Sequence, residues 1–383
     1  MSRSENRIRL SVVVPLPDHR GHALEAIRSW TQEQTFPHSE FEVVVIIDGR
    51  EPETEREVAA LLAPHDRLVT VARGSLHDCY NAGRAAARGE ALFFTESHVK
   101  AAPDCVQQMI ARLAAGDADC VAVASGGIDE DRFAAQEQTI YEQALPGRIA
   151  GGWNLCTVRG FAVKRDALDR AGGFLARYNH YSELLLGAAL KHTGARLGYA
   201  PAARVWHFNS GSLEHFAREL NAFGRDEIRF RAENPASPLL EFLGPCAVWE
   251  QRQSLARGAA LRRTWAALAG ICRSLFRGRL KDAGREVEAV CRFAPCVLLG
   301  PMWLQLKAAA AVQWAILWLY LGCFSDRLYY RAFRAMWNGQ IRRGRIDAVA
   351  ELVSAAAVDG AASARATRAA SCPIDAAGTA SNC

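Results

Sequence analysis

Runs of aliphatic, largely β-branched residues alternate with segments of helical spacing through the first part of the chain, and this alternation constrains the fold most. "RLSVVVPL" has no polar face to offer water, as expected of a strand covered on both sides, and "ALEAIRSWTQEQ" follows with helical spacing. "FEVVVIIDG" is a second buried strand, ending on Asp48, and "ETEREVAALLA" a second helix. "RLVTVA", a helix around "CYNAGRAAARG", and "ALFFTES" continue the series. Strands and helices in this order predict an α/β fold with a mostly parallel central sheet. Ligands of such sheets bind beyond the carboxyl ends of the strands, where Pro15, Asp48 and Glu96 fall.

Residues 103–124 add another helix and strand, "CVQQMIARLAAG" and "DCVAVAS". The region 150–210 is less regular, with glycine pairs at 151–152 and 172–173, a helix near "SELLLGAALKHTG" and a strand that delivers His207 into "FNSGS". These segments complete one domain over residues 9–212, after a tail at 1–8.

Beyond it the composition changes. "LEHFARELNAFGRDEIRFR" sets Leu213, Phe216, Leu220 and Phe223 along one helical face and Arg218, Arg225 and Arg229 along another. Residues 255–292 mix Arg262, Arg263, Arg273, Arg277, Arg279 and Lys281 with apolar residues, as an amphipathic helix on an anionic lipid surface requires. The uncharged stretch 308–324 is short of the roughly 20 residues that cross a bilayer, so spanning and buried-helix readings stay equal. We therefore expect a helical, membrane-associated region over 213–350 and, in the Ala- and Ser-rich residues 351–383, a disordered tail.

Net charge is +5 over 383 residues, and the arginine excess lies after about residue 225, which suggests an anionic surface as partner of the second half. Eleven cysteines without a C-x-x-C pair, behind a polar and charged start, read as reduced thiols of a cytoplasmic chain.

Five polar residues can carry chemistry. Asp48 follows five aliphatic residues and reads as an exposed acid able to accept hydrogen bonds from a base or ribose, or as a turn former before Gly49. Glu96 and His98, two apart, face one side of an extended strand and suit a divalent cation shared with phosphate oxygens; a solvated turn is the plainer alternative. His207 would be the third ligand, or a structural histidine. Glu183 lies in the first turn of a helix, where the dipole favours its charged form, as a cap or as a general base.

In this order the fragments resemble the inverting family 2 glycosyltransferases, with their nucleotide-sugar-binding GT-A fold, over residues 9–210. "LSVVVPL" is similar to that family's S-V-I-I-P-T-Y-N, "SWTQEQTFP" to S-L-x-x-Q-T-x-P, and "VVVIIDG" to V-I-V-V-D-D-G-S. "NAGRAAARGEALFFTESHV" resembles N-x-G-x-x-x-A-x-G-E-Y-I-x-F-L-D-A-D-D, and "RAGGF", "YSELLLGAALKHTG" and "RVWHF" follow like G-G-F, G-E-D-x-D-L-x-x-R-L-x-x-x-G and V-x-H. The resemblance implies that Pro15 and Asp48 border the base, that Asn81 faces the donor, and that Glu96 and His98 replace the ends of D-x-D at ribose and metal. It makes Glu183 the acceptor-activating base and His207 the last metal ligand. Leu16-Pro17-Asp18 stands in place of T-Y-N, and Ile47 in place of the first Asp of D-D-G-S.

The implied function is metal-dependent, inverting hexosyl transfer in polysaccharide biosynthesis, from a nucleotide-diphosphate sugar to a hydroxyl of a glycan or lipid-linked acceptor. Mg²⁺ or Mn²⁺ is the expected cofactor, the imidazoles favouring Mn²⁺. The expected place is the cytoplasmic face of a membrane, without a nucleic-acid partner. A catalytically silent domain that binds nucleotide sugar or glycan and scaffolds a membrane complex is the alternative. A nucleotidyltransferase is disfavoured, because "PLPDHRGH" makes a poor phosphate loop.

Overall fold

The aliphatic runs form strands, and the segments between them form helices. In order these are β1 (Leu10–Pro15), α1 (Ala23–Thr31), β2 (Phe41–Ile47), α2 (Pro52–Ala59), β3 (Arg67–Thr70), α3 (Leu76–Ala86), β4 (Ala91–Phe94), β5 (Val99–Ala101) and α4 (Cys105–Ala114). There follow β6 (Cys120–Ile128), α5 (Arg132–Gly151), β7 (Phe161–Lys164), α6 (Arg165–Ala171), α7 (Ser182–His192), β8 (Leu197–Phe208) and α8 (Leu213–Glu233). The short α9 (Leu240–Leu243) and α10 (Ala247–Glu250) precede the long α11 (Asp326–Ala370). This computed structural model describes residues 7–129, 131–252, 311–319, 322 and 325–370.

One unit comprises residues up to Pro245 together with 310–344; the other comprises 246–309 with 345–383. The first unit contains an eight-stranded sheet in the order β3-β2-β1-β4-β7-β6-β8-β5. It is mixed rather than mostly parallel: β1 pairs in parallel with β2 and β4, and β6 with β8, but β7 runs antiparallel to both β4 and β6, and β5 to β8. The antiparallel strands β5 and β7 are three and four residues long, too short to show a periodicity in the sequence.

The continuous runs are explained by two cores. Leu10, Val12 and Val14 of β1 pack on one side of the sheet with Trp30 of α1 and Met109 of α4, whereas Val13 packs on the other with Ile46, Tyr80 and Leu168. Helix α3 lies so close to that second face that a Cβ on Gly83 would come within 2.3 Å of Val13.

In the helical part of the same unit, Phe216 and Leu220 of α8 meet Phe133, Ala315, Leu319, Phe333 and Met336. The helical stretch 311–319, part of the uncharged run 308–324, therefore packs on protein with one side, and leaves Trp314 and Leu317 exposed on the other. Among the described residues no helix is long and apolar enough to cross a membrane. The basic stretch 255–292 lies outside the described residues. Composition marks the chain from residue 351 as a disordered tail, yet α11 runs to Ala370; alanine has the highest helix propensity, and the helix is entered from a packed first half. Residues 371–383 lie outside the described ones.

Candidate functional site

β4 ends at Phe94, so Glu96 and His98 do not share an extended strand; they converge instead through the turn at 95–98. That turn is fixed by three buried hydrogen bonds: the Ser97 hydroxyl donates to the Leu16 carbonyl (3.1 Å), the Thr95 hydroxyl to the Arg159 carbonyl (3.2 Å), and the Tyr80 hydroxyl to the Thr95 carbonyl (3.1 Å). The short β5 then pairs with β8 in a register that sets Val99 opposite His207, which brings the two histidines together with ring centroids 4.9 Å apart. Glu96 Oε2 lies 3.7 Å from His98 Nε2 and 3.3 Å from His207 Nε2. One ligand atom from each of Glu96, His98 and His207 lies within 4.8 Å of the others.

The outer nitrogens are already committed. His98 Nδ1 is 2.8 Å from the carbonyl oxygen of Asp18, which only accepts, so the ring carries its proton there. Asp18 holds the left-handed backbone conformation, φ +64°, that a non-glycine residue adopts at some cost. His207 Nδ1 donates to Asn209 Oδ1 (2.7 Å), which also accepts from Arg159 (3.1 Å), while Asn209 Nδ2 donates to Asp129 (2.6 Å). Both histidines thus turn an Nε2 lone pair towards Glu96, and His98 Nε2 is buried without a hydrogen-bond partner. Burial holds both imidazoles well below their usual pKa, in the neutral form that can ligate a cation. One carboxylate and two oriented imidazoles fit a divalent transition metal ion, with the hydrogen bonds that commonly position histidine ligands.

Glu183 stands in the first turn of α7, but burial and not the helix dipole decides its charge. Its pKa is raised to about 8, first by loss of water and then by the negative charge of Glu96. One carboxylate oxygen accepts the Val158 N–H at 2.9 Å, and the other lies 4.0 Å from His77 Nε2. The loop that presents Val158 can lie on α7 only because residue 187 is glycine: a Cβ there would meet the Trp153 carbonyl oxygen at 2.2 Å.

Glu96, His207 and Glu183 line one cavity of about 390 Å³, together with Arg20, His77, Glu137, Arg148, Arg159 and His180. Sequence reasoning missed these last six. Arg159 is buried with Glu137 (2.6 Å) and Gln138 (2.9 Å) and sits over the Tyr141 ring. It precedes β7, whose brevity hid the whole segment. His77 is buried with neither ring nitrogen hydrogen-bonded, and burial lowers its pKa to about 3.

The remaining expected positions lie outside the cavity lining. Pro15 closes β1 and is buried. Asp48 is not an exposed acid: it is 7% exposed and held by Arg50, whose Nε is 2.8 Å from Oδ2. Asn81 spends both side-chain groups on one residue, donating to the Phe174 carbonyl (2.8 Å) and accepting the Phe174 N–H (3.1 Å), so it ties α3 to the segment after α6.

The strand ends of a mixed sheet thus gather an acid and two histidines in one cavity with a buried glutamate. Residues 11–172 match the family model "Glycosyl transferase family 2". That stretch of the chain is similar to the glycosyltransferases of this family, and the domain is an α/β fold with a mixed sheet, followed by helices.

Among solved structures, the mannosyltransferase PcManGT from Pyrobaculum calidifontis, in complex with GDP-Man and Mn²⁺, is 17% identical, with a TM-score of 0.49 over 88% of this chain and 87% of its own. TarS of S. aureus is 15% identical, with a TM-score of 0.41 over 64% of this chain; this chain spans 47% of the TarS chain. TarS 1-349 in complex with UDP is 12% identical, with a TM-score of 0.42 over 74% of this chain and 92% of that one. No curated protein matches the sequence.

Proposed function

We propose that the protein is an inverting, metal-dependent glycosyltransferase that moves a hexose from a nucleotide-diphosphate sugar to a hydroxyl of a glycan or lipid-linked acceptor. One observation carries this reading: a single cavity contains the buried carboxylate of Glu183 and the convergent group formed by Glu96 and His207, with His98 completing it. A base and a place for a diphosphate-binding cation are the two things that such a transfer needs.

Glu96, His98 and His207 would hold Mn²⁺ or Mg²⁺, which supplies charge stabilisation to the leaving diphosphate. Ionised Glu183 takes the proton of the acceptor hydroxyl as the new bond forms from that oxygen to the anomeric carbon. The bond from that carbon to the diphosphate oxygen breaks, its electron pair leaving with the nucleotide, and the configuration inverts. The Val158 N–H holds Glu183 on one oxygen, so that the other is the one free to receive the proton. Burial makes that carboxylate an avid base once ionised, since its pKa is about 8. Arg159 and Arg20 add fixed positive charge to the same cavity. Pro15 and Asp48, at the ends of β1 and β2, would border the nucleotide base.

Protonation of Glu183 at neutral pH is also what a silent binding domain would tolerate, and turnover separates the two readings. Calorimetric screening of UDP-, GDP- and dTDP-sugars with and without Mn²⁺ tests the assignment. We expect metal-enhanced binding of one donor and loss of transfer, with binding retained, in Glu183→Gln. Absence of nucleotide binding under all conditions contradicts the reading. The exposed Trp314 and Leu317 support the further proposal that the enzyme works on the cytoplasmic membrane face; sedimentation with anionic vesicles checks it.

A further inference from the structure

Two donors in the cavity of Glu183 have no hydrogen-bond acceptor among the described residues. Three arginines line the cavity. Arg159 is engaged by Glu137, Gln138 and Asn209, and Arg20 by the Phe208 carbonyl at 3.1 Å, with Asp18 at 3.6 Å. Arg148 differs: among the described residues its guanidinium has no carboxylate and no hydrogen-bond acceptor, and its one contact is the face of the Tyr141 ring, 5.5 Å to the centroid. The second idle donor is His77, 1% exposed, unbonded at both ring nitrogens and 4.0 Å from Glu183 Oε1.

An unpaired cation half-withdrawn from water is costly unless something anionic completes it. Arg148 is fixed by the end of α5, two residues after Pro146 and about one turn before the left-handed Gly152 that stops the helix, and Tyr141 about two turns earlier supports its head group. It belongs to Glu183's part of the cavity. Arg159 shares Asn209 Oδ1 with His207, and Arg20 donates to the carbonyl of Phe208 beside it, whereas Arg148 bonds to neither; its charge acts on Glu183, where Arg159 is the weaker of the two. A donor diphosphate at Glu96, His98 and His207 would therefore lie with Arg159 and Arg20 and leave Arg148 unmatched.

We infer that the acceptor is an anionic saccharide or polyol, whose carboxylate or phosphate pairs with Arg148 while a nearby hydroxyl sits between Glu183 and His77. This rests on the glycosyltransferase reading for the identity of the cavity, but its binding chemistry is testable without turnover. The guanidinium offers a two-pronged donor set to either oxyanion. The neutral imidazole offers a hydrogen bond to the hydroxyl.

The test is calorimetric binding of three probes to the full chain: a uronate oligosaccharide, a glycerol-phosphate oligomer and a neutral gluco-oligosaccharide of equal length. One of the two anionic probes is expected to bind at least about tenfold more tightly than the neutral one, and which of them does so tells carboxylate from phosphate. Arg148→Gln should remove that preference and Arg148→Lys should keep part of it, with donor affinity unchanged in both. In turnover, Arg148→Gln should raise KM for the anionic acceptor and leave kcat much closer to its original value. Equal binding of all three probes overturns the proposal. So does an Arg148→Gln variant that loses neutral and anionic acceptors alike while its pH profile moves, since Arg148 would then act only on Glu183. Failure of donor binding strikes the glycosyltransferase reading instead and leaves the preference of the saccharide probes to be read by itself.

Discussion

His207 Nε2 lies 3.3 Å from Glu96 Oε2 because β5, only three residues long, pairs with the end of β8. An acid from the turn after β4 and a histidine from the last strand of the sheet thus share one point, and the hydrogen bonds behind them decide which atoms face it.

Asn209 is the clearest of those supports. Asn209→Ala removes the acceptor of His207 Nδ1 and one partner of Arg159. Loss of a hydrogen bond behind a metal-ligating histidine typically costs ~10–100-fold in metal affinity. A Mn²⁺ titration of the variant is expected to show a loss in that range with the fold intact by circular dichroism; unchanged affinity would remove His207 from the ligand set.

Glu183 sets a pH dependence. Transfer requires its ionised form, so kcat/KM should rise with pH towards a midpoint near 8, and be low at pH 6. Stability runs the other way. Between the ordinary glutamate pKa of 4.5 and about 8 the folded state holds a proton that the unfolded state has released, so stability falls as pH rises through that window. Urea titrations at pH 5 and pH 8 should show this decline in the native chain and much less of it in Glu183→Gln.

Asn81 is predicted to matter for folding rather than for the donor. Asn81→Ala leaves the Phe174 N–H and carbonyl without their buried partners, a loss of about 1–3 kcal/mol in urea unfolding. Nucleotide affinity should stay within twofold or so of the original. A large drop in affinity without loss of stability would return Asn81 to the donor site.

Gly187→Ala presses a methyl group into the Trp153 carbonyl, 2.2 Å away. Backbone must move, at a cost of roughly 1–3 kcal/mol, and the loop that moves bears the N–H that holds Glu183. We expect reduced kcat with donor affinity preserved; full activity would show that Val158 does not position the base.

The sequence made β1, β2 and β4 legible because both faces of those strands are covered, which leaves an unbroken apolar run. β7 was not legible, since four residues between Gly160 and Arg165 carry no period, and with it went the mixed character of the sheet and the arginine just before it. Glu96, His98, Glu183 and His207 were singled out by the order of their motifs. Their physical state was not: the turn at 95–98, and not an extended strand, joins Glu96 to His98, and burial overrides the helix dipole at Glu183. Asp48 and Asn81 occupy the motif positions, but their side chains are spent on Arg50 and on Phe174. His77 and Arg148 gave no signal, because a histidine or arginine in a helix is ordinary until the cavity beside it is seen.

Whether Glu96, His98 and His207 form one cation site is decided by pulsed electron paramagnetic resonance of Mn²⁺ bound to the full chain with its nucleotide. One tightly bound ion coupled to the nitrogens of two imidazoles is expected, and reduction to one nitrogen, with weaker binding, in either His98→Ala or His207→Ala. Tight Mn²⁺ binding without nitrogen coupling, or coupling that survives both substitutions, would contradict it.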